Sequence, residues 1–270
     1  MKKLSASLLV LTLLFVLAAC TAGEPASEPE PEAAEPIALQ IFAAASMTET
    51  LNAIKAAYEA ENENVELVLT LDSSGTLKTQ IEEGAPCDLF ISAAQKQMNQ
   101  LEKSNLVDTA TRVDLLENKV ALVVPEGNPK DIQSYEDLGT DKLSLIALGN
   151  SDVPVGQYSE EILTYMGIWE DLNNAKKITF GTNVKEVTSQ VKEGTVDCGI
   201  VYGTDAAAAG LETVAFPPEG SHSPVVYPAA VMAEAANPEA AKAFLDYLMG
   251  DACSAVFEEA GFAIAHEFER

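Results

Sequence analysis

Along most of the chain, short apolar runs alternate with amphipathic stretches, and the change from one to the other is abrupt. Residues 37–44 (IALQIFAA) are apolar, the run stops near Ser46, and a 3.6-residue repeat starts at once with Leu51, Ile54 and Tyr58 on one face. This predicts a buried strand running directly into a helix over 47–61. Ser46 is placed as its N-cap, and Glu49, three residues later, completes a Ser-x-x-Glu capping box. The same order recurs, with strands predicted over 65–71 and 88–91 and helices over 76–83 and 95–104. A second set has strands at 119–124, 143–148, 178–180 and 198–202, and helices at 155–166 and 184–193. After a connection rich in Gly, Pro and Ser (Pro217, Pro218, Gly220, Ser221, Ser223, Pro224), a strand is predicted at 225–234. Asn237-Pro238 then opens a C-terminal helix, with Pro preset for the first turn.

Such alternation predicts a mostly parallel sheet covered by helices on both faces. Two sets of elements predict two α/β lobes: lobe 1 from 37–120 and 225–270, and lobe 2 from 121–224. The hinge is expected near 119–124 and 225–232, with the C-terminal helices packing back on lobe 1.

Three further helix starts match the one at Ser46. Ser73-Ser74-Gly75-Thr76 follows the strand ending at Leu71, and Gly75 lacks the Cβ that would keep a ligand from the backbone. Asp152-Val153-Pro154-Val155-Gly156 opens another helix, and Asn183 with Glu186 again has capping-box spacing. In α/β sheets these junctions lie at the carboxyl ends of the strands, where ligands bind. Four helix N-termini facing one cleft would attract an anion with neutral groups; four capped helices are also ordinary punctuation of such a fold.

Composition narrows the partners. With 47% hydrophobic and 21% charged residues, the chain can bury one large core or two smaller ones. The net charge of −26, from 16 basic against 42 acidic residues, excludes nucleic acid as a partner. It also repels anions at long range, so an anion site here must work through close donors.

Lys2 and Lys3 precede an apolar run over 4–17, which has the length of a secretory signal core rather than of a membrane span. Leu17-Ala18-Ala19-Cys20 resembles the bacterial lipoprotein signal, which implies a signal peptide over 1–19 and lipidation of Cys20. Residues 21–36 (TAGEPASEPEPEAAEP) cannot form a core and are expected to be an extended tether reaching at most roughly 50 Å. The folded part is thus expected outside the cytoplasm, held to a membrane by lipid. Cys87, Cys198 and Cys253 fit either one disulfide plus a thiol or three buried thiols. With His222 and His266 as the two histidines, a His/Cys zinc centre is not expected, and no cofactor is implied.

AAASMTE, DSSGTLKTQIEEGAPCDLFISA, VPVGQY, the segment around Asn183-Val184-Lys185, and GIVYGTDA together resemble the periplasmic molybdate-binding proteins that feed ATP-binding-cassette importers. The likeness runs in order from about Ile41 to the C-terminus. It implies a two-lobed type II periplasmic-binding-protein fold with a two-strand hinge. It also implies a monomer that holds molybdate or tungstate between the lobes and delivers it to a permease and its ATPase. Carried over by position, the oxyanion ligands are the Ser46 and Ser74 hydroxyls and N–H groups, the Val155 and Val184 N–H groups, and the Tyr202 hydroxyl. Val155 stands where the family usually has alanine, a change that a backbone contact tolerates, and Ala94 stands where aspartate is common.

Donors of this kind saturate a fully deprotonated dianion but offer a poor partner to a protonated oxygen, which must itself donate, and this disfavours phosphate unless Asp72 or Asp152 points inward. Sulfate or another tetrahedral oxyanion is the alternative ligand. Catalysis by Ser46 or Ser74, with Lys78 or Tyr202 as base, is not expected, because the Gly-x-Ser-x-Gly elbow is missing and neither histidine sits in a triad context. Amino-acid receptors need a cationic partner for the ligand carboxylate, and Arg112 and Arg270 lie in none of the candidate loops.

Overall fold

Small and branched side chains at 41–44 bury the end of β1 (Ile37–Ala44), which leaves through a 3-10 turn (Ala45–Met47) into α1 (Thr48–Glu61). The computed structural model describes residues 36–265. The predicted signal peptide, Cys20 and nearly all of the tether lie outside the described residues. The first set of elements continues with β2 (Val65–Asp72), α2 (Ser74–Glu82), β3 (Leu89–Ile91), α3 (Gln95–Lys103) and β4 (Val113–Glu117). The second comprises β5 (Val120–Val124), β6 (Ile146–Gly149), α4 (Pro154–Tyr165), α5 (Trp169–Asn174), β7 (Ile178–Gly181), α6 (Val184–Lys192), β8 (Cys198–Tyr202), α7 (Gly203–Ala209) and β9 (Glu212–Ala215). The chain then returns through β10 (Val226–Val231), α8 (Pro238–Leu248), α9 (Asp251–Glu259) and β11 (Ala263–Ile264).

Two helix-flanked sheets result, in the orders β11-β4-β10-β3-β1-β2 and β7-β6-β8-β5-β9. Both are mixed. β1 is parallel to β2 and β3, and β6 to β7 and β8, as strand-helix-strand connections require. β10 and β5 run antiparallel to their neighbours, because each enters its sheet directly from the other sheet without a helical crossover of its own. The all-apolar β5 and β8 are fully buried, as expected of strands covered on both faces.

Register aligns the strand ends that matter. Ala44 lies opposite Asp72, and Gly149 opposite Gly181, so the turns that follow these strands open side by side. Between the sheets the chain crosses at Asn118–Lys119 and returns between Ala215 and Val226. The Asn118 N–H ties the two crossings together by donating to the Val225 carbonyl at 3.1 Å, and the Gly203 N–H at the start of α7 donates to the Lys119 carbonyl at 2.8 Å.

The C-terminal helices pack on the first sheet. Tyr58 of α1 meets Phe244 and Tyr247 of α8 edge-on, with ring centroids 4.9 and 4.8 Å apart. Such pairs contribute about 0.5–1.5 kcal/mol beyond area burial. Cys87, Cys198 and Cys253 are buried free thiols. Burial pushes Cys87 up to about 12 and Cys253 up to about 11, so neither carries a reactive thiolate near neutrality. No helix among the described residues is long and apolar enough to cross a membrane.

Candidate functional site

Ser46 lies in the turn between β1 and α1, buried, but it caps no helix. The N-cap of α1 is Met47, no side chain caps that helix, and the expected capping box is not formed. The Ser46 Oγ instead lies 2.9 Å from the Tyr227 hydroxyl, and Glu49 reaches across to Lys185 at 2.7 Å. A tertiary partner has displaced the local one in both cases. At α2 the cap is Ser73, whose Oγ accepts the Thr76 N–H at 3.1 Å. Ser74 is thereby the first helical residue; it is fully buried, and its Oγ accepts the Ala93 N–H at 2.9 Å.

In the second sheet, Pro154 occupies the first turn of α4 and Val155 follows it. A Cβ on Gly156 would come within 2.2 Å of the Gly149 carbonyl, so only glycine lets α4 start this close to the end of β6. Asn183 caps α6 as its sequence predicts, accepting the Glu186 N–H at 3.1 Å, and places Val184 first in the helix. Glu186 completes the loop by accepting the Thr182 N–H at 2.7 Å rather than that of its cap residue. Ser74, Val155 and Val184 thus all lie in first turns, where backbone N–H groups have no partner within the helix.

These elements meet across the space between the sheets. The Gly75 N–H donates to the Asp152 carbonyl at 2.9 Å, and the Asn183 amide to Asp72 at 3.2 Å. A Cβ on Gly75 would lie 2.3 Å from that same Asp152 oxygen, so this glycine admits the opposite loop. The Tyr202 hydroxyl donates to the Ala93 carbonyl at 3.4 Å, and Ala93 also touches Ser74. Ser46, Ser74, Val155, Val184 and Tyr202 are all at most 5% exposed. Residues 118 and 227 extend the ring: Asn118 donates to Tyr227 at 3.2 Å, and the Tyr227 and Tyr202 rings are 5.8 Å apart. Neither residue carries a local signal in the sequence.

A model of the bacterial extracellular solute-binding protein family matches residues 39–263. The chain belongs to the bacterial extracellular solute-binding proteins. This solute-binding protein is 39% identical to the molybdate-binding protein ModA of Escherichia coli (strain K12), over 84% of its own length and 89% of that relative. It is 33% identical to YvgL of Bacillus subtilis (strain 168), whose name describes an ABC transporter substrate-binding lipoprotein, over 97% and 98% of the two chains. Its fold matches that of the Azotobacter vinelandii periplasmic molybdate-binding protein, with a TM-score of 0.75, 24% identity, and coverage of 84% of this chain and 100% of that one.

The electrostatics of the solute-binding protein's cleft come from groups that neutralise one another. Lys185 Nζ sits between Glu49, at 2.7 Å, and Asp205 Oδ1, at 3.0 Å. Neither Asp205 oxygen has a donor aligned for a hydrogen bond, so this second contact is an ion pair. Complete burial, only partly offset by Lys185, raises the Asp205 carboxyl from 3.8 to about 6. Burial pulls the Lys185 ammonium down, but Asp205 and Glu49 outweigh it and its pKa is raised. Asp72 is occupied, accepting from the Ser73 N–H at 2.7 Å and from Asn183, and Asp152 is exposed. Arg112 is bound to Glu102, Gln95 and Asn99, and Lys78 pairs with Glu82 at 2.7 Å. Among the described residues no group of three or more His, Cys, Asp or Glu could hold a metal ion.

Proposed function

We propose that this protein is the substrate-binding subunit of an ABC importer, capturing molybdate, and tungstate with it, between its two sheets for delivery to a membrane permease. The observation that carries this reading is the buried ring of Ser46, Ser74, Val155, Val184 and Tyr202, closed by the Gly75–Asp152 hydrogen bond. Hydroxyls and first-turn amides in that ring suit a tetrahedral dianion and need no cationic side chain. Donors from both sheets share one ligand, so binding favours the closed state. Ser74 faces a backbone amide and Ser46 a tyrosine that burial keeps protonated, which supports a binding role rather than nucleophilic catalysis.

Calorimetric titration of the ligand-free protein with molybdate, tungstate, sulfate and phosphate tests the assignment. One-to-one binding of molybdate or tungstate well above sulfate is expected. Preferred binding of sulfate would replace the transported anion, and binding of none of the four would end the shared-site reading. Lipid attachment at Cys20, supported by the Ala-Ala-Cys signal, is tested by Cys20→Ser, which should release the protein from membranes.

A further inference from the structure

We propose that Asn118 and Tyr227 form a directed hydrogen-bond relay that fixes the Ser46 hydroxyl as a donor into the cleft and so sets the site against protonated oxyanions. The inference rests on the oxyanion-binding reading above. The direction begins at Asn118, whose Oδ1 accepts the Lys119 N–H at 2.8 Å. This fixes the amide orientation and turns its NH2 group toward the Thr204 Oγ1, at 2.9 Å, and the Tyr227 hydroxyl, at 3.2 Å. An amide NH2 only donates, so the tyrosine oxygen must accept.

Tyr227 is fully buried, and its own proton then has the Ser46 Oγ, 2.9 Å away, as its acceptor. Reversing that last bond would turn the Tyr227 proton from Ser46, at 2.9 Å, toward the Tyr202 oxygen, which pairs with Tyr227 electrostatically but lies outside direct hydrogen-bond geometry and is the poorer acceptor for a buried hydroxyl. Ser46 therefore accepts on its Tyr227 side and offers its proton on the cleft side. An oxygen carrying no proton is welcomed there. One that must itself donate, as in hydrogenphosphate, meets hydrogen against hydrogen.

The two positioning residues come from separate parts of the chain. Asn118 lies in the first crossing between the sheets, and Tyr227 in the strand that follows the return. The relay thus ties the direction of one ligand donor to the geometry of the crossing. The Tyr227 ring is held edge-on by Tyr202 at 5.8 Å and Phe262 at 5.4 Å, so Tyr227→Phe removes one oxygen while keeping this packing.

The test measures molybdate, sulfate and hydrogenphosphate binding to the full mature chain at neutral pH, together with unliganded melting temperatures. Tyr227→Phe should weaken molybdate and sulfate about tenfold while hydrogenphosphate holds or tightens, narrowing the molybdate preference by about tenfold. Asn118→Asp offers Tyr227 an acceptor, reverses the relay and draws the Ser46 proton away from the ligand, so it should cost more than Tyr227→Phe. Made in the Tyr227→Phe background, the same change should cost much less; a loss that persists there would be simple charge repulsion and would overturn the relay. Equal losses for all three anions, or hydrogenphosphate still excluded by Tyr227→Phe, would also overturn it and leave Tyr227 a packing role. If the wild-type chain binds neither molybdate nor sulfate, the functional reading falls first and the relay with it.

Discussion

Gly75→Ala separates the closing of the cleft from the stability of the fold. The added methyl would sit 2.3 Å from the Asp152 carbonyl oxygen and 2.8 Å from its Cα and Cβ. These are backbone neighbours or lie against the backbone, so no rotamer change relieves the clash. The 150–153 loop and the start of α2 must part by about 1 Å to restore ordinary contact. That stretches the 2.9 Å Gly75–Asp152 hydrogen bond, worth about 1 kcal/mol, and shifts the Ser74 and Val155 donors away from a shared ligand. The closed state should lose about 2 kcal/mol, a roughly thirtyfold weaker molybdate affinity. Position 75 is in the first turn of α2 and its φ is not left-handed, so alanine gains up to about 1 kcal/mol of helix propensity. The unliganded melting temperature should therefore hold or rise while affinity falls. The assay pairs calorimetric titration with thermal melts of the unliganded protein. An affinity within twofold of wild type, or a loss matched by a lower unliganded melting temperature, would refute the reasoning.

Three further outcomes are expected. Ser46→Ala should weaken molybdate binding by about 1–3 kcal/mol, the value of a hydrogen bond to a charged group, and unchanged titration curves would remove Ser46 from the site. Asp205 is raised from 3.8 to about 6, so its protonated form stabilises the fold below pH 3.8, and that stabilisation is lost as pH rises through about 6. Asp205→Asn should flatten the pH dependence of the melting temperature across this window, and an unchanged slope would show that Asp205 does not titrate there. Cys87, Cys198 and Cys253 should resist a thiol reagent at pH 8 in the native protein and react on unfolding; fast labelling of the folded chain would contradict their burial.

Much of this was legible in the chain because it is local. The starts of α2, α4 and α6 lie within two residues of their predicted places, and Pro154 and Asn183 act as their types suggest. The misreadings occur where a distant residue competes with a near one. Ser46 has Glu49 three residues away, yet its hydroxyl faces Tyr227, 181 positions on, and Glu49 is drawn to Lys185. Gly75 signalled a close approach to the backbone, and the Asp152 loop makes one. Strands β4, β9 and β11 escaped prediction because they are short and carry few fully buried residues, so the alternation that betrays a strand barely develops. Asn118 had no pattern at all, since a residue in a crossing is defined by the two sheets it joins.

The strand order of the first sheet also constrains how the chain can fold as it emerges. The second sheet is built entirely from residues 120–215, a continuous stretch that can pair as soon as it is exposed. In the first sheet β10 is inserted between β3 and β4, so these two strands have no common neighbour until residues 226–231 arrive. Loop closure across more than a hundred residues is slow compared with local pairing. The sheet that begins first is therefore completed last, and in a chain that emerges from its N-terminus β3 keeps one edge unpaired until residues 226–231 arrive.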